Sequence, residues 1–282
     1  MNFHDQAASL RTRRRTAVAA SPDSGPPVIV IGSGKGGVGK SLVATAFAAT
    51  MAHAGLRTLL VDGDQNLGNL HVLAGVRPDR SLSDVAEGTI DPADVLIPLG
   101  DNLWLFPADS GAEMLFGLGG TDRARLQQRI SGLYPDYDAV VVDAGAGLDS
   151  ATRCVTIQAT RLIVVTIPEA TALTDAYALI KIVSRQQPEL PIDVLVNRAT
   201  TPCEADGAFD RLLEAAHRFL ARDLGYLGAI PDDTAVRSDL RFPERLLAPH
   251  TGGAALRAAA ALAADCVGLS VTLTLEPNGS TE

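Results

Sequence analysis

Aromatic rings are scarce in this 282-residue chain, at 4% of positions, and cysteine is nearly absent, with Cys154, Cys203 and Cys266 standing far apart. Such unpaired spacing speaks for neither a disulfide framework nor a zinc site, and it suits a reducing compartment. With one tryptophan and no rings interleaved among basic residues, no platform for stacking nucleic-acid bases is evident, so Trp104 reads as core. Net positive charge is lacking too. The formal net charge of -9 argues against broad attraction to DNA or anionic lipid, because phosphate binding needs a positive surface. No uncharged apolar run is long enough to span a bilayer, and the N-terminal arginines are not joined to the apolar core of a signal peptide. A soluble, cytoplasmic protein without strong nucleic-acid binding is expected.

What is present is apolar content of 46%, ample for one α/β core, and a loop of distinct composition. The loop follows the β-branched run Val28-Ile29-Val30-Ile31 and precedes an alanine-rich helical stretch from Leu42 to Gly55. This order lets backbone N–H groups turn around a phosphate chain at the positive end of a helix. Gly34, Lys35, Gly36, Gly37, Val38, Gly39, Lys40, Ser41 and Leu42 are therefore candidate nucleotide-binding positions. Lys40 would lie against the β- and γ-phosphates, and the Ser41 hydroxyl would ligate Mg²⁺.

Two further strands end in acids. Thr58-Leu59-Leu60-Val61 leads to Asp62 and Asp64, and Ala139-Val140-Val141-Val142 leads to Asp143. Carboxylates at the carboxyl ends of parallel strands face the ligand crevice. Asp62 and Asp143 are candidate metal-site acids acting through water, while Asp64, displaced past its strand, would orient the attacking water. The turn Ala144-Gly145-Ala146-Gly147 would sense the γ-phosphate through its backbone. More β-branched runs at Leu162 to Ile167 and Ile192 to Val196 each precede a helical segment. The alternation predicts a three-layer α/β fold of the P-loop type, a mostly parallel twisted sheet flanked by helices.

The run Lys35-Gly36-Gly37-Val38-Gly39-Lys40-Ser41 resembles the deviant phosphate loop of the MinD/ParA family, which reads KGGVGK followed by Ser or Thr. The resemblance implies that Lys35 reaches across an interface to the nucleotide held by a second subunit, so that ATP makes a homodimer. It also implies that Asp64 is the aspartate required for hydrolysis, with Lys35 and Lys40 completing the catalytic set. Asn197 and Arg198, with Pro231 and Asp233 opposite, would wrap the adenine, Asn197 supplying an amide. The guanine-reading Asn/Thr-Lys-x-Asp signal is absent from the sequence, so ATP with Mg²⁺ is the expected cofactor pair.

Asp5-Gln6-Ala7-Ala8-Ser9-Leu10-Arg11 resembles the DQAxxLR element of the FlhG/FleN branch of that family. It implies that Asp5, Gln6, Leu10 and Arg11 dock on the signal-recognition-type GTPase FlhF and stimulate its GTP hydrolysis. The expected organisation is a partner-binding segment at 1–20, a linker at 21–27, an ATPase domain at 28–268 and a tail at 269–282. That tail contains Val271-Thr272-Leu273-Thr274-Leu275 and no Lys or Arg, unlike the basic amphipathic membrane helix of the branch. Recruitment to a cell pole or membrane would then fall to partners. The expected function is a slow ATPase switch that regulates flagellar number and placement through FlhF and a flagellar transcription activator. The rival expectation is a ParA- or MinD-type positioning ATPase, serving DNA partition or division-site selection.

Overall fold

The computed structural model describes residues 25–64, 68–80, 82–108, 120–155 and 158–268. The segment 1–20 with its candidate partner residues Asp5, Gln6, Leu10 and Arg11, most of the linker, and the tail 269–282 lie outside those residues.

In chain order the elements are β1 (Val28–Gly32), α1 (Lys40–His53), β2 (Thr58–Gly63), α2 (Leu70–Leu73), α3 (Leu82–Glu87), β3 (Ile97–Gly100), β4 (Leu103–Phe106) and α4 (Gly120–Ser131). They continue with β5 (Ala139–Ala144), α5 (Leu148–Val155), β6 (Arg161–Thr166), α6 (Ala170–Gln186), β7 (Ile192–Ala199), α7 (Pro202–Leu220) and β8 (Gly225–Pro231). Two short helices, α8 (Val236–Asp239) and α9 (Pro243–Leu247), lead to α10 (Ala254–Cys266).

The described strands form one eight-stranded sheet in the order β3-β4-β2-β5-β1-β6-β7-β8, in which β3 alone runs antiparallel to its neighbour. Every residue of β1, β5 and β6 is buried, as befits a sheet covered on both faces. Successive residues of a strand point to opposite faces, and β1 divides its side chains accordingly. Val28 and Val30 belong to the core on the side of α5, α6 and α7, whereas Ile29 and Ile31 belong to the core on the side of α1 and α10. Helix α1 is buried from Leu42 through Ala52, and its small alanines let α10 approach closely through Ala255, Ala259 and Ala263.

Register brings the strand-end acids together. Asp62 of β2 lies directly beside Asp143 of β5, and Asp143 in turn lies beside Ile31 of β1. The glycine loop leaves β1 at that same edge, where the strand order reverses direction on either side of β1, the place at which doubly wound sheets hold ligands. One element differs from the sequence expectation. Ile97–Gly100 adds a short edge strand, with Pro98 tolerated because an edge strand has an unpaired side. Gly120 and Thr121, which follow a glycine-rich stretch of the sequence, open α4.

Candidate functional site

The loop between β1 and α1 needs glycine at defined points. Gly37 and Gly39 hold φ of 79° and 93°, in the left-handed region where a side chain is strained. Gly34 needs it for another reason: a Cβ there would stand 2.1 Å from the backbone oxygen of Asp175, so the first arm of the loop lies directly on α6.

Lys40, the first residue of α1, is buried and its Nζ sits 2.7 Å from Oδ1 of Asp143. Burial pushes the Asp143 carboxyl up from its ordinary value, while Lys40 and the Ser41 hydroxyl pull it back. Asp62 is pushed to about 7, first by burial and then by the neighbouring Asp143. Its two oxygens accept from the backbone N–H groups of Asp64 and Leu70, each at 3.1 Å, which pins both ends of the segment following β2. Asp64 itself lies over the turn after β5. A Cβ on Gly145 would come within 2.9 Å of the Asp64 carboxylate carbon, so glycine at 145 is what lets the two segments touch.

The other lysine points elsewhere. Lys35 Nζ is 3.4 Å from Oε2 of Glu169 and 3.3 Å from Oγ1 of Thr171, at the start of α6. It therefore stands at the outer rim, away from the Lys40 and Asp143 pair.

A cavity of about 940 Å³ opens above the loop, running from Lys35 and Asp64 at one end to Pro231 and Asp233 at the other. Gly36, Gly37, Gly39, Lys40, Ser41 and Leu42 form its floor. Asp62 and Asp143 lie beneath that floor, at 4% and 3% exposure. At the far end Asn197 and Arg198 occupy the end of β7, the latter with a left-handed φ of 54°. Asn197 is buried, donating from Nδ2 to the Val38 carbonyl at 2.7 Å and accepting from the Arg198 N–H at 2.9 Å. Asp233 accepts from Ala235 N at 2.8 Å and from Ala255 N at 3.1 Å, and these backbone donors hold its carboxyl below the usual range.

Comparison with known proteins gives this arrangement a lineage. A family model described as an AAA domain matches residues 27–194. The antiactivator FleN of Pseudomonas aeruginosa is 38% identical over 210 residues, spanning 74% of this chain and 75% of that protein. The flagellum site-determining protein YlxH of Helicobacter pylori is 32% identical over 225 residues, 79% of this chain and 76% of the relative. Among solved structures, the cell division ATPase MinD of Pyrococcus furiosus superposes with a TM-score of 0.70 at 27% identity, covering 85% of this chain and 97% of that one. The chain belongs to the MinD/ParA family of ATPases, in its FlhG/FleN branch.

As a MinD/ParA ATPase the chain works with ATP and Mg²⁺, and its residues suit both. Hard oxygen donors, Ser41 with Asp62 and Asp143 behind it, match the preference of Mg²⁺. Both carboxyls are held above their ordinary values by burial, the condition that a nearby divalent cation relieves. Among the described residues no group of three or more His, Cys, Asp or Glu side chains is arranged to hold a metal by itself.

Two contacts of this MinD/ParA ATPase join residues apart in the sequence: Glu169 and Thr171 hold Lys35, and Asp239, 2% exposed, accepts from Gly253 N at 3.0 Å and pairs with Arg245 at 2.8 Å. The turn Pro168-Glu169 that follows β6 places the first of these at the start of α6. Nothing local marks Asp239, whose partner Gly253 is 14 residues away.

Proposed function

We propose that this chain is an ATP-driven dimerising switch that regulates flagellar number and placement. The reading is supported by the kinship with FleN and with the flagellum site-determining YlxH. The observation that carries it is the division of labour between two lysines on one loop. Lys40 is buried against Asp143 at the floor, and Lys35 is turned outward to the rim formed by α6. A lysine at the rim is available to a second subunit in a way that the floor lysine is not.

In this reading Lys40 and Ser41 hold the phosphates and the metal, with Asp62 and Asp143 supporting them from below. Mg-ATP, when bound, would supply a γ-phosphorus that water can attack with ADP as the leaving group, the metal offsetting charge on the phosphates. Asp64 orients that water by accepting a hydrogen bond from it. The Ala144 to Gly147 turn, in contact with Asp64 through Gly145, reports whether the γ-phosphate is present. Asn197, Arg198, Pro231 and Asp233 frame the adenine end, where Asp233 acts by fixing the N-terminus of α10.

The partners in this proposal are an FlhF-type GTPase, engaged through Asp5, Gln6, Leu10 and Arg11, and a flagellar transcription activator. GTP hydrolysis by the FlhF-type enzyme, measured with added full-length chain, should rise several-fold. Gln6→Ala should remove that stimulation while leaving ATP turnover intact. Equal stimulation by both proteins would refute the assignment of the N-terminal element.

A further inference from the structure

Away from the nucleotide cavity, at the far end of α1, two histidines meet. His53 is the last residue of α1, and His250 lies in the short turn Pro249–Thr251 that precedes α10. Their ring centres are 5.1 Å apart, with the planes at 70° to one another. Both residues are exposed, so water and ions reach them. The carbonyl of Ala49 settles the chemistry of the first ring. It lies 2.8 Å from His53 Nδ1 and can only accept, so Nδ1 carries the hydrogen. In the neutral ring Nε2 then keeps a lone pair, the arrangement in which a backbone carbonyl orients a metal-binding imidazole. Partial burial, and after it His53, hold the His250 ring toward its neutral form, the form that binds metal. The carboxyl end of α1 favours a cation as well.

We propose that His53 and His250 form a binding site for a divalent transition-metal ion of the zinc, nickel or copper class, which staples the end of α1 to the turn ahead of α10. Two imidazoles that share one tetrahedral ion through bonds of about 2.0–2.1 Å hold their ring centres roughly 5 Å apart. The observed spacing meets that condition, and a turn of the His250 ring about its broad χ2 aims both lone pairs at one point. Imidazole nitrogen suits these ions, whereas Mg²⁺ prefers the oxygen donors at the phosphate loop, so the two sites select different metals. Among the described residues no third His, Cys, Asp or Glu joins the pair in a metal cluster, so water fills the remaining positions. Such an open site exchanges its ion with the surroundings, unlike a closed structural site of four protein ligands. Helices α1 and α10 already pack together through Ala255, Ala259 and Ala263, and the ion adds a second tie between their segments. Lys40 stands at the other end of the 14-residue α1, about 20 Å away, so the ion stabilises the fold without entering the nucleotide site.

The full-length chain, stripped of transition metals with a chelator and kept in excess Mg²⁺, is titrated with zinc by calorimetry and melted with and without it. His53→Gln, His250→Gln and His217→Gln are treated alongside. The last alters a histidine that pairs with Asp223 at 2.9 Å, outside the site. The unaltered chain and His217→Gln should bind zinc at the site and melt several degrees higher with it. His53→Gln and His250→Gln should each weaken that binding at least about tenfold, the scale on which even an outer contact to a metal ligand is felt, and lose the shift in melting. Copper(II) loaded into the unaltered chain should show couplings to two imidazole nitrogens by electron paramagnetic resonance, a readout that does not depend on how well either variant folds. Zinc binding that is equal in both variants and the unaltered chain, or lost in only one variant, would overturn the site. So would an unaltered chain whose melting ignores zinc, or copper coupled to fewer than two nitrogens.

Discussion

Asp64 and Asp62 stand two positions apart and do different work. Asp62 is committed to the backbone at both ends of the segment after β2, so its removal loosens that segment. Asp64 touches the opposing turn at Gly145 and borders the cavity, which places it to handle water. Asp64→Ala should lower ATP turnover at least a hundredfold, the usual scale for loss of a water-positioning group, and leave ATP-dependent dimerisation intact. Phosphate-release kinetics beside light scattering check both halves; a variant that turns over normally, or is monomeric with ATP, contradicts the role. Asp233 offers a test of a different kind. Its two backbone contacts secure α8 and α10, and loss of such capping costs about 1–2 kcal/mol, so Asp233→Ala should be less stable to urea by that amount. Because the folded chain holds this carboxyl below its ordinary value of 3.8, the contribution is present above that pH and is lost as pH falls through the lower folded value. The gap between the two proteins should thus be full at pH 7 and close in strong acid.

At the scale of elements, the strand–loop–helix unit β1 to α1 was legible because every signal in it is local: a β-branched run, glycines at the turns, alanines after. The same is true of Asp143, which closes an uncharged strand. What escaped is non-local. The Lys35 contact joins residues 134 apart, and β3 is a four-residue edge strand interrupted by proline, too short for periodicity to declare itself. Asn197 was legible as a strand-end residue of the cavity, yet its partner Val38 emerges only from the packing of β7 beside the loop. The seating of the loop on α6 has its own consequence. Gly34→Ala would drive a methyl group into the Asp175 backbone carbonyl, and backbone cannot swing aside as a side chain does. Overpacking of this kind costs about 1–3 kcal/mol, so the variant should melt several degrees lower and bind ATP more weakly. Unchanged melting would mean that the loop and α6 are not in such close contact.

At the scale of the whole molecule, the question is what a rim lysine does. Lys35 and Glu169 are 41% and 60% exposed, and an ion pair so wetted contributes about 0–1 kcal/mol, so little holds Lys35 to its own chain. A γ-phosphate bound on a neighbouring subunit offers a stronger partner, with a charge-assisted hydrogen bond that draws the two copies together. A formal net charge of -9 makes two copies repel, and a contact that joins them must overcome that. Light scattering with a nonhydrolysable ATP analogue tests this most directly, on the unaltered chain and on Lys35→Ala side by side. The account predicts a doubled mass for the first and a single-chain mass for the second, with both binding nucleotide. A single-chain mass for the unaltered protein at saturating analogue, or dimers formed equally well by Lys35→Ala, would contradict it.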